Sequence, residues 1–217
     1  MKQSAFLLGL LCSLMLATAE ASRGDERHAG RAGEFDYYLL TLSWSPTYCL
    51  THGDDSAQCA GRGYGFVLHG LWPQYDDGGY PEHCDTDRRL SASAEAAGQQ
   101  VFISPYLMRH EWQAHGTCSG LDAVRYFQLA DQAFARVHLP AAFEAPRRQR
   151  DLTAAQIVAQ FRDANPALPE GALTVHCSRG ELSEVRVCLT PNLQPRACGR
   201  GVRNSCPNSA VEIPARR

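Results

Sequence analysis

The chain has 217 residues, 44% hydrophobic and 20% charged, which suits one soluble domain with a sizeable core and argues against global disorder. Net charge is −2 and the pI is near 6.4, so no general basic coat is present to grip a polyanion, and any nucleic-acid contact must be local. Lys2 is the only lysine, so the side-chain cations of the folded protein are arginines, apart from any charged histidine.

Lys2, the apolar run from Ala5 to Ala17, and the small residues of Ala17-Thr18-Ala19 and Ala19-Glu20-Ala21 form the pattern of an export signal over residues 1–21. The run is shorter than the ~18 to 20 residues of a membrane span. The mature protein is therefore expected in the periplasm or outside the cell, free of the membrane. Signal removal leaves Cys49, Cys59, Cys84, Cys118, Cys177, Cys188, Cys198 and Cys206. An even set in an oxidising compartment predicts a disulfide framework, and arithmetic leaves its pairing open. No two of these cysteines are spaced C-x-x-C, which argues against a zinc site.

Residues 22–217 are expected to form a single domain, with 22–33 a loose leader. Phe35 to Trp44 reads as a buried strand ended by Ser45-Pro46, and Cys49 to Cys59 encloses a polar loop. A second strand carries Phe66 to Gln74. Simple alternation puts Phe66, Leu68 and Gly70 on one face and Val67, His69 and Leu71 on the other. Residues 75–98, rich in Asp, Gly and Ser, read as an irregular insertion carrying Tyr80 and Cys84 on the site side. A helix is predicted over 105–115, with Pro105 in its first turn. Val124, Phe127, Ala130, Phe134 and Val137 follow helical spacing, and Thr153-Ala154-Ala155-Gln156 matches a capping box before the stripe Ile157, Val158 and Phe161. Leu173 to Cys177 and Leu182 to Leu189 form a predicted hairpin around Ser178-Arg179-Gly180. Strands and helices do not alternate regularly, so the class is α+β.

The chemistry concentrates in His110-Glu111-Trp112-Gln113-Ala114-His115-Gly116-Thr117-Cys118. On a helix Glu111 and His115 share a face, and His110 stands about 100° away, so all three are expected to border one cavity. Gly116 reads as a helix stop that Cys118 could pin covalently. His69 adds a fourth titratable group from a strand. His28, His52, His83 and His138 are read as surface or packing residues, while His176, beside Cys177, is open between the two readings. A zinc protease motif needs its second histidine four residues after the first; here the spacing is five, which rotates the pair apart. No Ser or Cys sits in a nucleophile-elbow sequence. Two or three imidazoles with a carboxylate, lacking an enzyme nucleophile, suit RNA cleavage: the substrate brings its own 2′-hydroxyl, one imidazole takes its proton and another protonates the departing 5′-oxygen. DNA lacks that nucleophile and should resist.

Phe66 to Gln74 and His110 to Cys118 resemble the two active-site motifs of the ribonuclease T2 family of secreted ribonucleases, in a form similar to its bacterial periplasmic members. The resemblance extends to Ser43-Trp44-Ser45-Pro46 and to the ordered cysteines, hence to most of the mature chain. It implies an α+β fold with a central antiparallel sheet and packed helices. It implies His115 as first-step base, His69 as acid, His110 holding phosphate, and Glu111 hydrogen-bonding near the phosphate. Trp72 and Tyr80 correspond to base-stacking positions. Gln74 stands where many relatives have a base-reading carboxylate, so low base specificity is expected. The implied products are 2′,3′-cyclic phosphates, then 3′-phosphates, formed without metal or cofactor by a monomer. The implied disulfides are Cys84 with Cys118, Cys177 with Cys206, Cys188 with Cys198, and Cys49 with Cys59. Many members carry a lysine where this chain has Ala114; either an arginine replaces its charge, with Arg109 the first candidate, or the enzyme works without it. The rival readings are a catalytically silent secreted RNA-binding protein on the same scaffold and a zinc hydrolase.

Overall fold

The computed structural model describes residues 30–85, 89–144 and 148–216. The export signal lies outside them. Residues 30–33, expected in the loose leader, are held instead: the Gly33 N–H donates to the Cys118 carbonyl at 2.9 Å.

Six strands form one sheet. In chain order the elements are β1 (Tyr37–Trp44), α1 (Ser45–Cys49), β2 (Phe66–Gln74), α2 (Ala92–Gly98), α3 (Pro105–Ala114), a 3-10 turn (Gly116–Ser119), α4 (Ala123–Ala135), α5 (Ala141–Glu144), β3 (Arg150–Leu152), α6 (Ala154–Ala164), β4 (Leu173–Ser178), β5 (Glu181–Leu189) and β6 (Val211–Ile213). Strand order is β2-β1-β5-β6-β3, with β4 also on β5. The pairings are antiparallel except for one parallel bridge, Glu181 to Glu212, that attaches β6. Arg179 and Gly180 take positive φ in the β4–β5 turn, as a tight hairpin requires.

Helices α3, α4 and α6 cover one face of this sheet. Leu40, Leu42, Leu68 and Leu71 meet Met108, Trp112, Tyr126, Phe127, Ile157 and Phe161 in the main core. A smaller apolar cluster of Tyr37, Leu39 and Cys188 lies apart from it, flanked by Trp72 and Val202. β1 is therefore buried on both sides. The Thr153–Gln156 capping box forms as predicted, and Ser104 caps α3 by accepting from Tyr106 and Leu107 N–H. Three helices were not legible: Ser45-Pro46 ends β1 by opening α1, with Pro at a permitted first-turn position, α2 lies within the stretch read as irregular, and the four-residue α5 follows Pro140, which was read only as lying beyond the end of α4.

Four disulfides brace the loops: Cys49–Cys59, Cys84–Cys118, Cys177–Cys206 and Cys188–Cys198. They coincide with the pairs implied by the resemblance. Cys84–Cys118 closes the Tyr80–Cys84 segment onto the end of α3, where the His83 N–H also donates to the Ala114 carbonyl.

Candidate active site

Strict alternation fails in β2. Thr41 pairs with Gly70 but Leu42 pairs with Leu68, so His69 is the extra residue of a β-bulge. The bulge exchanges the two faces beyond it. Leu68 and Leu71 both enter the core, whereas Val67 before the bulge, His69 in it, and Trp72 and Gln74 after it line clefts. Leu71 thus does not share the face of His69, as simple alternation predicted; Trp72 does, with ring centroids 5.2 Å apart. Gly70 faces the site too. A Cβ there would collide with Glu111 Oε2 and Trp72 Nε1, so glycine is what lets the carboxylate reach the strand.

Glu111 is fully buried. Its Oε2 accepts from the Trp72 indole N–H at 2.6 Å, and its Oε1 lies 3.7 Å from His69 Nε2. Burial pushes this carboxyl up to about 7, against the opposing pull of His69 and the indole N–H. The expected pairing of Glu111 with His115 is not what forms. The helix ends at Ala114, and His115 departs from helical geometry as its C-cap with φ −120°, although its N–H still reaches the Glu111 carbonyl. The His115 ring instead leans on Trp72 at 5.0 Å, with Tyr80 at 6.1 Å. Gly116 adopts no left-handed conformation; it is small because Trp112 and Tyr126 press on it.

The two imidazoles are driven apart electrostatically. His115 is pulled down to about 3, first by burial and then by repulsion from His110, His69 and His83, so it is neutral over the working range. Burial alone would also lower His69, but the hydrogen bond to Glu184 and the charges of Glu111 and Glu184 outweigh it and hold the proton. One ring is thus poised to accept a proton and the other to donate one.

Glu184 and Arg186, on β5, belong to this site and sequence reasoning missed them. Glu184 Oε1 is 2.8 Å from His69 Nδ1. Its Oε2 takes two hydrogen bonds from Arg186, at 2.8 and 2.7 Å, and the guanidinium lies 5.3 Å from the Trp72 ring. The only available signal was an acidic and a basic residue two apart on one face of a strand otherwise rich in valine and leucine.

Two clefts flank the carboxylate. The larger, about 410 Å³, is lined by Trp72, Gln74, Tyr80, His115, Arg186 and Arg200 among others. The smaller, about 250 Å³, holds His69 and His110 with Tyr48, Asp55, Tyr106 and Leu107. His69, His110, Glu111 and His115 are therefore neighbours, but His110 and His115 open onto different clefts. Trp72 is half-buried, and Gln74 is buried with its amide donating to the Pro73 carbonyl at 2.9 Å. Arg109 does not serve the site: its nearest carboxylate is surface Glu95, 3.3 Å away. Ala114 is buried, and the arginines that line the His115 cleft are Arg186 and Arg200. His52 stacks on Tyr48, and His83 binds the Gln113 carbonyl.

Imidazoles whose proton affinities are shifted in opposite directions beside a buried carboxylate are equipment for acid–base catalysis, and the α+β scaffold carries them at the β2 edge of its sheet. The chain belongs to the ribonuclease T2 family, whose sequence profile matches residues 35–198. It is 46% identical over 130 residues to a protein named ribonuclease from Aeromonas hydrophila, an alignment spanning 60% of this chain and 56% of that one. It is 27% identical over 220 residues to ribonuclease DdI of Dictyostelium discoideum, covering 91% of this chain and 96% of its relative. Among solved structures, an RNase-related protein from Calystegia sepium superposes with a TM-score of 0.70 at 22% identity, over 85% of this chain and 99% of that one. RNase NT in complex with 5′-AMP superposes at 0.65 with 24% identity, over 84% and 99%. These likenesses establish the fold, and the family with its named ribonucleases supports endoribonuclease activity.

Proposed function

We propose that the protein is a secreted or periplasmic endoribonuclease that cleaves single-stranded RNA by metal-independent transphosphorylation, giving 2′,3′-cyclic phosphates and then 3′-phosphates. The observation that carries this is the split of the two imidazoles: His115, pulled down to about 3, lines the larger cleft, and His69, whose proton affinity is raised, lines the smaller. A dinucleotide laid across both puts its 2′-hydroxyl beside His115 and its departing 5′-oxygen beside His69. His115 takes the hydroxyl proton as the 2′-oxygen attacks phosphorus; His69 gives its proton to the 5′-oxygen as that bond breaks. Cyclic phosphate hydrolysis runs the roles in reverse, with water in place of the departing alcohol.

His110 reaches the phosphate from the smaller cleft, and Glu111, protonated below about pH 7, can donate to a phosphoryl oxygen. Two of the five N–H groups of Arg186 go to Glu184, and the remainder supply positive charge on the His115 side. Trp72, Tyr80 and Gln74 form the wall for the base on the 2′-hydroxyl side. The Gln74 carbonyl carries no charge to demand a particular base, in keeping with low base preference. Four disulfides support an oxidising compartment, and no helix among the described residues is long and apolar enough to cross a membrane.

Purified mature protein should convert each RNA homopolymer to cyclic-phosphate ends in excess chelator and leave DNA intact. RNA binding without turnover would instead identify a silent scaffold, and loss of activity in chelator would identify a zinc hydrolase.

A further inference from the structure

Resting on that reading, we infer that Glu184, clamped by Arg186, is the positioning residue of the proton donor His69. The chain Arg186–Glu184–His69 runs from the middle of the sheet to the edge of the cleft. Arg186 Nε and Nη2 both hold Glu184 Oε2, which fixes the carboxylate plane and leaves Oε1 to meet His69 Nδ1 at 2.8 Å. Register supports the arrangement: Glu184 pairs with Ser43 and Arg186 with Thr41 on β1, which separates them from β2 by one strand. The bulge at His69 leaves its side chain half-exposed in the cleft while its ring nitrogen reaches back over β1.

The hydrogen bond dictates a tautomer. An ionised carboxylate only accepts, and Glu184 is held ionised: its hydrogen bond from His69 and the Arg186 charge outweigh burial and bring it down to about 2. Nδ1 must therefore carry a proton in both charge states of the ring. The labile proton of the imidazolium is then the one on Nε2, the nitrogen that faces Glu111 and the cleft. Without Glu184 the ring is free to flip, or to keep its neutral-state proton on Nε2. Among the described residues, titratable and charged groups face His69 from several elements. Glu111, His110 and His115 face it from α3 and its end, Glu184 and Arg186 from β5, and Asp55 with Tyr48 from the far wall of its cleft, while His176 faces Glu184 from β4.

A positioning role can be told from a structural one by the leaving group. Glu184→Gln keeps the shape and the acceptor but removes the charge. On a dinucleotide, kcat should fall by at least about 10-fold, toward the roughly 10⁴-fold cost of exchanging the carboxylate that orients a catalytic imidazole for its amide, with KM little changed. The alkaline limb of kcat/KM should move to lower pH. On a nucleoside 3′-(4-nitrophenyl phosphate), whose leaving group needs no proton, Glu184→Gln and His69→Ala should both recover, and His115→Ala should not. Equal loss by Glu184→Gln on both substrates, or an unmoved alkaline limb, would overturn the inference. Failure of His69→Ala to recover would instead overturn the assignment of His69 as the acid. A measurement on the parent needs no variant to fold: nitrogen NMR of neutral His69 should show its proton on Nδ1, and a proton on Nε2 would refute the pairing.

Discussion

Glu111→Gln is expected to separate stability from activity. In the folded chain this carboxyl is fully buried and titrates at about 7, against an ordinary value of 4.5. The folded state thus binds the proton more tightly than the unfolded chain. The resulting stability is complete below about pH 4.5 and is lost as pH rises through 7. Above that, keeping the buried carboxylate ionised costs roughly 3 kcal/mol, at about 1.4 kcal/mol per tenfold change in proton affinity. Glutamine still accepts from the Trp72 indole with its carbonyl and carries no charge. His69 complicates the middle of the range, because part of its raised proton affinity comes from Glu111. That contribution exists only while the imidazole is charged, so the comparison is cleanest in alkali, once His69 has lost its proton. Urea unfolding with the disulfides intact should find the variant about 3 kcal/mol more stable than the parent at pH 9, an advantage that shrinks or reverses near pH 4.5. Its turnover on RNA should fall throughout. A stability difference that does not change with pH would refute the claim that this carboxyl is held against its ionisation.

His69→Ala and His115→Ala should each lower kcat by at least ~100-fold while RNA binding changes far less, as single-turnover and binding assays on folded variants would reveal. The pH profile should be bell-shaped, with kcat/KM falling in acid as free His115 gains a proton near its folded value of about 3, and falling in alkali as His69 loses its own; the acid limb of kcat should lie at higher pH. Replacing Cys84 and Cys118 by serine should cost roughly 3 to 4 kcal/mol by chain entropy and release the Tyr80 segment, measurable by denaturant unfolding. Gly70→Ala should fold but displace Glu111 or Trp72, with a loss in kcat on the order of 100-fold and little change in stability at acid pH; unaltered turnover would mean the close approach has no role.

What was legible in the sequence was local. Pro105 announces α3, Thr153 with Gln156 announces α6, and the chemistry of His110 to His115 sits within two helical turns, so its parts had to be near one another. What was hidden depends on pairing between strands. No feature of Phe66 to Gln74 marks His69 as the bulged residue, because the extra residue is defined only by Thr41 and Leu42 on β1. Hence alternation put Leu71 beside His69, when its true companions are Trp72 and Gly70. Glu184 lies 115 residues from His69, and β5 alone reads as an interior strand that tolerates three charges. Arg109 was the nearest arginine in sequence to Ala114, but side chains five positions apart on a helix diverge by about 140°, which turns Arg109 outward to Glu95.

The depressed proton affinity of His115 raises a difficulty that the substrate itself resolves. A base titrating at about 3 has little appetite for a hydroxyl proton, and efficient proton transfer calls for a value nearer the working pH. The causes of the depression are burial and the positive potential of His110, His69 and His83. A bound phosphodiester brings a negative charge among those same groups and offsets their repulsion, so His115 becomes a stronger base only once RNA occupies the clefts. The same anion raises the proton affinity of His69 and secures the acid in its charged form. In the empty site the two histidines are thus set apart, one shifted down and one up, and the arriving phosphate raises the proton affinity of both. This is why the acid limb of kcat should lie above that of kcat/KM: the first reports His115 with RNA bound, the second His115 alone.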